Sequence, residues 1–559
     1  MKLTRSQKLL LTLSIIAALC LLGLLVIDLL FRPIVTQIRP TPSFEATETL
    51  GIPISEATTT PDLSTTSPTP SPSEVTPSAT TTGTEEPSST LITPTPAPTT
   101  EEPTPEATST PEEAEADDEG TNEFFVSPDG SKENDGTKEE PWELQYALNH
   151  PSRVKPGDTI WLLGGEYNDS YTLRLEGEEG RPITVRAYPG ERAILTNDDR
   201  VLDISTSRYV NLWGLEIRPT ENSRDPEDYD ESAYGVRVNQ GKESHHIKFI
   251  NMIVHDMPSQ GFGWWQANQE SEIYGSLIFF NGVTQFDHGI YVNNDTGQKR
   301  IVDNFIFDNA SHGIHAYGEK EHHNLNNIHI EGNTLFNNGS IGFSTTQGTY
   351  GIYKRNILLG GLMVAENPVI INNYTYYPGD AGEALNLGYK AGSSGAIVEN
   401  NYFAGGQIEI GGENPGLAIT QNTIAGGGIA SLASTLRLGQ NQVLLARPNG
   451  LKVFIRPNQY EAGRANITIY NWSHQETVTL TANDLEGVDL KPGDRYELHN
   501  VQDYFEDVIT GTFDGNRLVI PMTGHTVAQP IGLDFKPNTT FPEFGAFVLI
   551  RIDEDNSDG

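Results

Sequence analysis

The stretch NFIFDNASHGIHAYG, residues 304–318, holds two short phrases that return through the middle of the chain. The first is a Gly, Ser or Asn followed by three mostly apolar residues and a turn. It recurs as GLEI at 214, NMIV at 251, SLIF at 276, NFIF at 304 and NTLF at 333, then as NILL at 356, NYTY at 373, NYFA at 401 and NTIA at 422. The second is a Gly followed by alternating apolar and polar residues: GVRVN at 235, GIYVN at 289, GIHAY at 313 and GFSTT at 342. Short β segments returning with a period roughly in the twenties are the pattern of a solenoid, in which no single turn can bury its inward side chains. Asn suits the corners because it tolerates left-handed backbone angles and its amide can bond to the Asn one turn away. Leucine-rich repeats are excluded, because the segments lack the leucine pattern and any helix per repeat. The chain therefore reads as all-β, with a right-handed parallel β-helix over residues 122–446.

Working outward, the segment Trp142–His150 reads as a short helix at the entrance to the coils, suited to shielding unpaired strand edges. After about Gly450 the Asn phrase stops. LKVFIRPNQ, ANITIYNWS, ETVTLTAND, RLVIPM and FGAFVLIRI alternate or run apolar between turns, which predicts a separate β-sandwich over 447–559 with a short acidic tail. Within it Tyr470 and Trp472 are candidates for stacking on a sugar, or else core.

The N-terminus is MKLTRSQK followed by an apolar run from Leu9 to Phe31. As a helix that run would span roughly 35 Å, against a hydrocarbon core of about 30 Å. It has no small-residue cleavage site, so residues 1–39 are expected to be a signal anchor, with Lys2, Arg5 and Lys8 on the cytoplasmic side. Residues 40–121 are rich in Thr, Pro, Ser and Glu and cannot bury enough apolar surface to offset their ordering entropy. They are expected to form a disordered linker, reaching roughly 250 Å at full extension. The globular part would then stand outside the cell on a membrane tether.

The formal net charge of −39 argues against nucleic acid as a partner, since phosphate binding needs a basic stripe. The single Cys lies in the apolar run, so the exported part has no disulfides and must draw its stability from a large core.

The opening VSPDGS, NDGT, PW, VKPGDTIWLLGGEY and GRPITVRAYPGE resembles the first coils of secreted bacterial β-helix proteins of the pectate lyase, alginate lyase and chondroitinase B kind. The Asn-phrase coils resemble the same superfamily. The resemblance implies an acidic polysaccharide or cell-envelope glycan as partner. It also implies β-elimination or C5 epimerisation as activity. FDHG, residues 286–289, resembles the W-I-D-H patch of one pectate lyase group and the D-P-H motif of mannuronan C5-epimerases, without the Ile of the first or the Pro of the second.

Aligning the Gly phrases puts Val236, Ile290, Ile314 and Phe343 in one inward column and Arg237, Tyr291, His315 and Ser344 in the outward one. Abstraction of a uronate C5 proton needs a base, and the developing charge needs a cation. His315 is the expected base, Tyr291 the acid and Arg237 the carboxylate partner. Asp287 shares their outward parity, and His288 falls at a corner or inward. Trp264, Trp265, Asn293 and Tyr317 are the expected substrate contacts. Asp225, Glu227, Asp228, Asp230 and Glu231, in the acidic insertion at 219–232, offer hard oxygen ligands suited to Ca²⁺, at spacings that match no EF-hand loop. The alternative is a non-catalytic surface protein that binds glycans or serves the envelope structurally, with these residues as a solvated sheet face.

Overall fold

In the computed structural model the backbone is described from Thr121 to Ile552, apart from residues 221–223, 225–231, 239–242, 267, 320–322, 342–352, 381, 427–428, 432–439 and 535. The apolar run at 9–31 lies outside the described residues, as does the proposed linker except for Thr121. Among the described residues no helix is long and apolar enough to cross a membrane.

Strands of three to eight residues stack in parallel, coil on coil, into sheets of eleven, ten and eleven strands. The inward column of the ten-stranded sheet runs Val236, Phe262, Ile290, Ile314 and Ile357, all fully buried. The repeat sets this architecture: apolar residues alternate along each short strand, and only stacking removes them from water. A helix at Leu144–Leu148 closes the first coil. Its Gln145 accepts from the Thr172 N–H at 2.8 Å and donates to the Thr172 carbonyl at 3.0 Å, pairing the exposed edge of the ten-stranded sheet.

Asn stacks run inside two of the corners. In one, Asn304, Asn333, Asn373, Asn401, Asn422 and Asn441 bond amide to amide from coil to coil, at 2.8–3.0 Å. In the other, Asn281, Asn309, Asn338 and Asn356 do the same. The left-handed backbone, however, falls on the residue before the ladder Asn: Asp303, Gly332, Asn372, Asn400 and Gln421 have positive φ. The two roles expected of one corner Asn are thus divided between neighbours. NILL at 356 also leaves the series, since its strand Arg355–Gly361 pairs with His312–Gly318 in the ten-stranded sheet.

The last parallel strand is Gln442–Leu444, and an antiparallel domain starts at Leu451. Its five-stranded sheet orders Leu451–Pro457, Arg464–Asn471, Phe544–Ile552, Arg495–Asn500 and Val508–Thr512, and Thr477–Thr481 pairs separately with Arg517–Pro521. This domain covers one face of the β-helix. A stack of Phe279, Phe307 and Phe336, with centroids 5.0 and 4.7 Å apart, continues into Phe544. Tyr470 and Trp472 are buried here, with the Tyr470 hydroxyl donating to the Thr375 carbonyl and the Trp472 indole to the Tyr402 hydroxyl. Neither is a sugar platform. The seam is what claims them, because a sheet laid on a solenoid needs large apolar side chains between the two.

Two expectations follow. Asn333 uses all four amide valences, donating to Asn373 Oδ1 and the Ile301 carbonyl and accepting from the main-chain and side-chain N–H of Asn304. Asn333→Ala leaves those buried partners unmade, at a cost of about 1–3 kcal/mol or more. Thermal melts should show a fall of several degrees, and an unchanged midpoint would contradict the ladder's importance.

Asp308 is fully buried beside the seam, and burial lifts its carboxyl from 3.8 to about 7 against hydrogen bonds from Ser340, Gln502 and Asn337. Its folded pKa is raised, so between those values the folded chain keeps a proton that the unfolded chain has lost. Stability from this group is present at low pH and lost as pH rises, by about 1.4 kcal/mol per unit in that window. Asp308→Asn should flatten the dependence of the melting midpoint on pH between about 4 and 7. An identical slope in the variant would rule the assignment out.

Candidate functional site

Among the described residues, the antiparallel domain packs on another sheet than the ten-stranded one. The outward column of the ten-stranded sheet reads Asp203, Arg237, Gly263, Tyr291, His315, Leu358, Asn386 and Glu409 in successive strands. Tyr291 and His315 are direct register partners, and their rings meet edge to face at 5.2 Å. Leu358 holds the position next to His315, where the Gly-phrase alignment put Ser344; that stretch lies outside the described residues.

Arg237 shares the column, but Gly263 stands between it and Tyr291. Two strand spacings put it roughly 10 Å away. Its Nε donates to Asp203 Oδ1 at 2.8 Å. The gap is filled by Trp265. A Cβ on Gly263 would come within 2.7 Å of the Trp265 ring, so the glycine lets the indole lie across the strand. Trp265 meets Tyr234 at 5.3 Å and Tyr291 at 6.2 Å, and Tyr317 extends the strip at 5.0 Å from His315.

Three expectations are corrected. Asp287 is buried at the corner before the strand, accepting from the Val283 and Thr284 N–H groups, the Thr284 hydroxyl and Ser259 Oγ. Alternation does not run through a turn, so its parity with Tyr291 is void. His288, read at a corner or inward, is buried under the site, with its Nε2 2.6 Å from His315 Nδ1. Trp264 is inward, in register with Val292, and Asn293 is buried where the strand ends. Beneath them the buried Lys299 ammonium donates to the carbonyls of Trp264, Trp265 and Asn293. Burial pushes that ammonium well below its ordinary pKa. Asp225, Glu227, Asp228, Asp230 and Glu231 all lie outside the described residues.

Three side chains beside the strip escaped the sequence reading. His312, read only as part of a repeated phrase, turns inward beside His288, with their Nδ1 atoms 3.2 Å apart. Arg355 reaches toward His312 Nε2 at 3.5 Å and is bound to Glu383 at 2.6 Å. Lys390 donates to the Tyr317 hydroxyl at 3.3 Å. The only signal was the basic wording KRN before NILL and GYK at the end of a strand outside the repeated phrases.

Burial holds all three histidines in the neutral form. It moves His315 down to about 3, with Arg355 adding to the effect, and it carries His288 and His312 well below the ordinary imidazole value. Burial, followed by Glu319, raises Tyr291, so its hydroxyl keeps its proton. The site thus presents a neutral imidazole beside a protonated phenol, on an aromatic strip with cations at both ends. Three ring nitrogens are the wrong donors for Ca²⁺, which takes oxygen, and the right ones for a borderline first-row ion.

Residues 124–281 match the family model described as Pel9A-like, right handed beta helix region, and this part of the chain is a right-handed β-helix of that kind. Two curated relatives align. One is the uncharacterized protein YwoF of Bacillus subtilis (strain 168), 27% identical over 162 residues, covering 26% of this chain and 33% of the relative. The other is the pectate disaccharide-lyase of Dickeya chrysanthemi, 21% identical over 290 residues, covering 42% of this chain and 37% of the relative. The chain thus spans about a third of the length of either. Among solved structures, pectate lyase Pel9A superposes with a TM-score of 0.40 at 16% identity, over 55% of this chain and 80% of its own.

Gly263→Ala should push the Trp265 indole off the strip and alter tryptophan emission. The change should vanish in a Trp265→Phe background. An emission difference that persists there would mean that the glycine does not seat this ring.

Proposed function

We propose that the chain processes an acidic polysaccharide on the outward face of the ten-stranded sheet, by β-elimination or C5 epimerisation. The observation that carries this reading is the contact between Tyr291 and His315, two neutral proton-bearing groups on an aromatic strip. Trp265 and Tyr317 offer faces for sugar rings, since every pyranose has an apolar side to stack. Arg237 at one end and Arg355 and Lys390 at the other give an acidic protein local cations for the polymer's carboxylates. Proton transfer at the uronate C5 falls to the Tyr291–His315 pair, and carboxylate recognition to the cations. Residues 1–39 would hold the enzyme to the membrane, and the 40–121 linker would carry it outward. Ca²⁺ on the acidic insertion would add a further bridge to the polymer.

The full chain should be offered a panel of polyuronates, following the ultraviolet absorbance of unsaturated ends and, by NMR, inversion at C5. On a polymer that is turned over, His315→Ala and Tyr291→Phe should each lower kcat by about 10²–10⁴ with KM little changed. Lys390→Ala should instead raise KM. Binding without turnover on every polymer would favour the glycan-binding alternative, and variants with full kcat would sink the site.

A further inference from the structure

The three histidines under the strip have no place in that reading beyond His315, yet they converge. His288 precedes the strand Ile290–Val292, and His312 and His315 lie on the next strand, His312–Gly318. One ring nitrogen from each falls within 4.8 Å of the other two. His288 Nε2 is 2.6 Å from His315 Nδ1, and His288 Nδ1 is 3.2 Å from His312 Nδ1. A buried histidine is ordinarily oriented by a carboxylate or a carbonyl. Here, among the described residues, the ring nitrogens of His288 face chiefly other imidazoles, and the nearest carboxylate in sequence, Asp287, is spent on its own turn.

We propose that His288, His312 and His315 bind one divalent first-row transition ion of the Zn²⁺ type. Three imidazoles at bonds of about 2.0–2.1 Å make the ligand set of an open zinc site, which leaves a fourth position for water or an anionic group. His315 is the least buried of the three and lies in the outward column, so an ion held by it lies within reach of a bound sugar carboxylate. Binding requires two adjustments: the 2.6 Å contact between His288 Nε2 and His315 Nδ1 must open, since two tetrahedral donors at about 2.0–2.1 Å from one ion stand roughly 3.3 Å apart, and one ring must re-aim. The His312 and His315 rings are parallel, with centroids 4.4 Å apart and planes at 10°, and parallel rings cannot both aim in-plane lone pairs at one ion. His312 must turn about its Cβ–Cγ bond. Its neighbour Tyr353 is 45% exposed, so that ring can yield. The Arg355 charge beside His312 is offset by Glu383. The proposal stands on the cluster alone and does not require the polysaccharide reading.

The test is metal uptake by the full chain after chelator treatment and reconstitution with Zn²⁺, Co²⁺ or Cu²⁺. The expected result is one ion retained per chain after desalting, a tetrahedral Co²⁺ absorption band, and a Cu²⁺ electron paramagnetic spectrum split by three nitrogens. His312→Ala and His315→Ala should each lower affinity at least tenfold, and Tyr291→Phe should leave it unchanged. The Cu²⁺ spectrum needs only the wild-type chain, so the proposal stays testable even where a variant fails to fold. No retained ion, fewer than two nitrogens on Cu²⁺, or equal uptake by the histidine variants would overturn it. Loss of metal with turnover intact would leave the polysaccharide reading standing. Metal uptake with no turnover on any polymer would leave the ion site standing.

Discussion

Everything in this molecule depends on the polar groups of the corners finding partners inside the stack. A β-helix turns its chain three times per coil, and each turn strands main-chain N–H and carbonyl groups that sheet pairing cannot reach. The Asn ladders meet that demand. Each amide accepts from the N–H of the coil before it and donates to a carbonyl of the coil before and to the Asn of the coil after, as Asn373 does with Asn333, Ile330 and Asn401. Because the bonds run from coil to coil, they also fix the register. A slip of one residue would break a whole row of amides at once.

The same constraint explains the repeated His-Gly phrase. A Cβ on Gly289 would lie 2.8 Å from Asn309 Nδ2 and 2.8 Å from the Gly313 carbonyl. One on Gly313 would lie 2.6 Å from Asn338 Nδ2. The glycines are there because the second Asn ladder passes through the space a side chain would take. What precedes each glycine is therefore set at the mouth of a tight corner, close to the ladder and close to the outward column. His288 and His312 occupy those two places, which is how architecture delivers two imidazoles beneath a third.

How much of this was legible in the sequence follows from which signals are periodic. Column positions such as Val236, Ile290 and Ile314, and the pairing of Tyr291 with His315, could be read because alternation holds along a strand. Asp287, Asn293 and His288 stand just outside strands, where alternation fails and the turn decides which way a side chain points. Gly263 was opaque for another reason. The coil QGFGWWQ offers two tryptophans, and only the register with Tyr291 shows that Trp264 goes in and Trp265 out. Arg355 was missed because its strand carries the wording of the other corner, so NILL was read into the wrong row, and Lys390 because its strand carries no repeated phrase. The antiparallel domain was visible as strands, but nothing in its sequence said which face of the solenoid Tyr470 and Trp472 would seal.

That choice of face bears on function. The seam consumes the large aromatics of one sheet, Phe279, Phe307, Phe336, Tyr376 and Tyr402, by burying them under Tyr470, Trp472 and Phe544. Among the described residues, the antiparallel domain gives the aromatics on the outer side of the ten-stranded sheet no such cover. Trp265, Tyr291 and Tyr317 stay only half-buried and Tyr353 exposed, although each would gain by full burial, at about 25 cal/mol per Å² of apolar area. A fold that can bury its aromatics on one face, and leaves four of them on another beside half-buried Arg and neutral His, spends stability there. Partly exposed aromatic strips of that kind mark surfaces where a ligand completes the packing. The physical case for a working face thus rests on the contrast between the two sheets of one solenoid, built from the same phrase and treated differently.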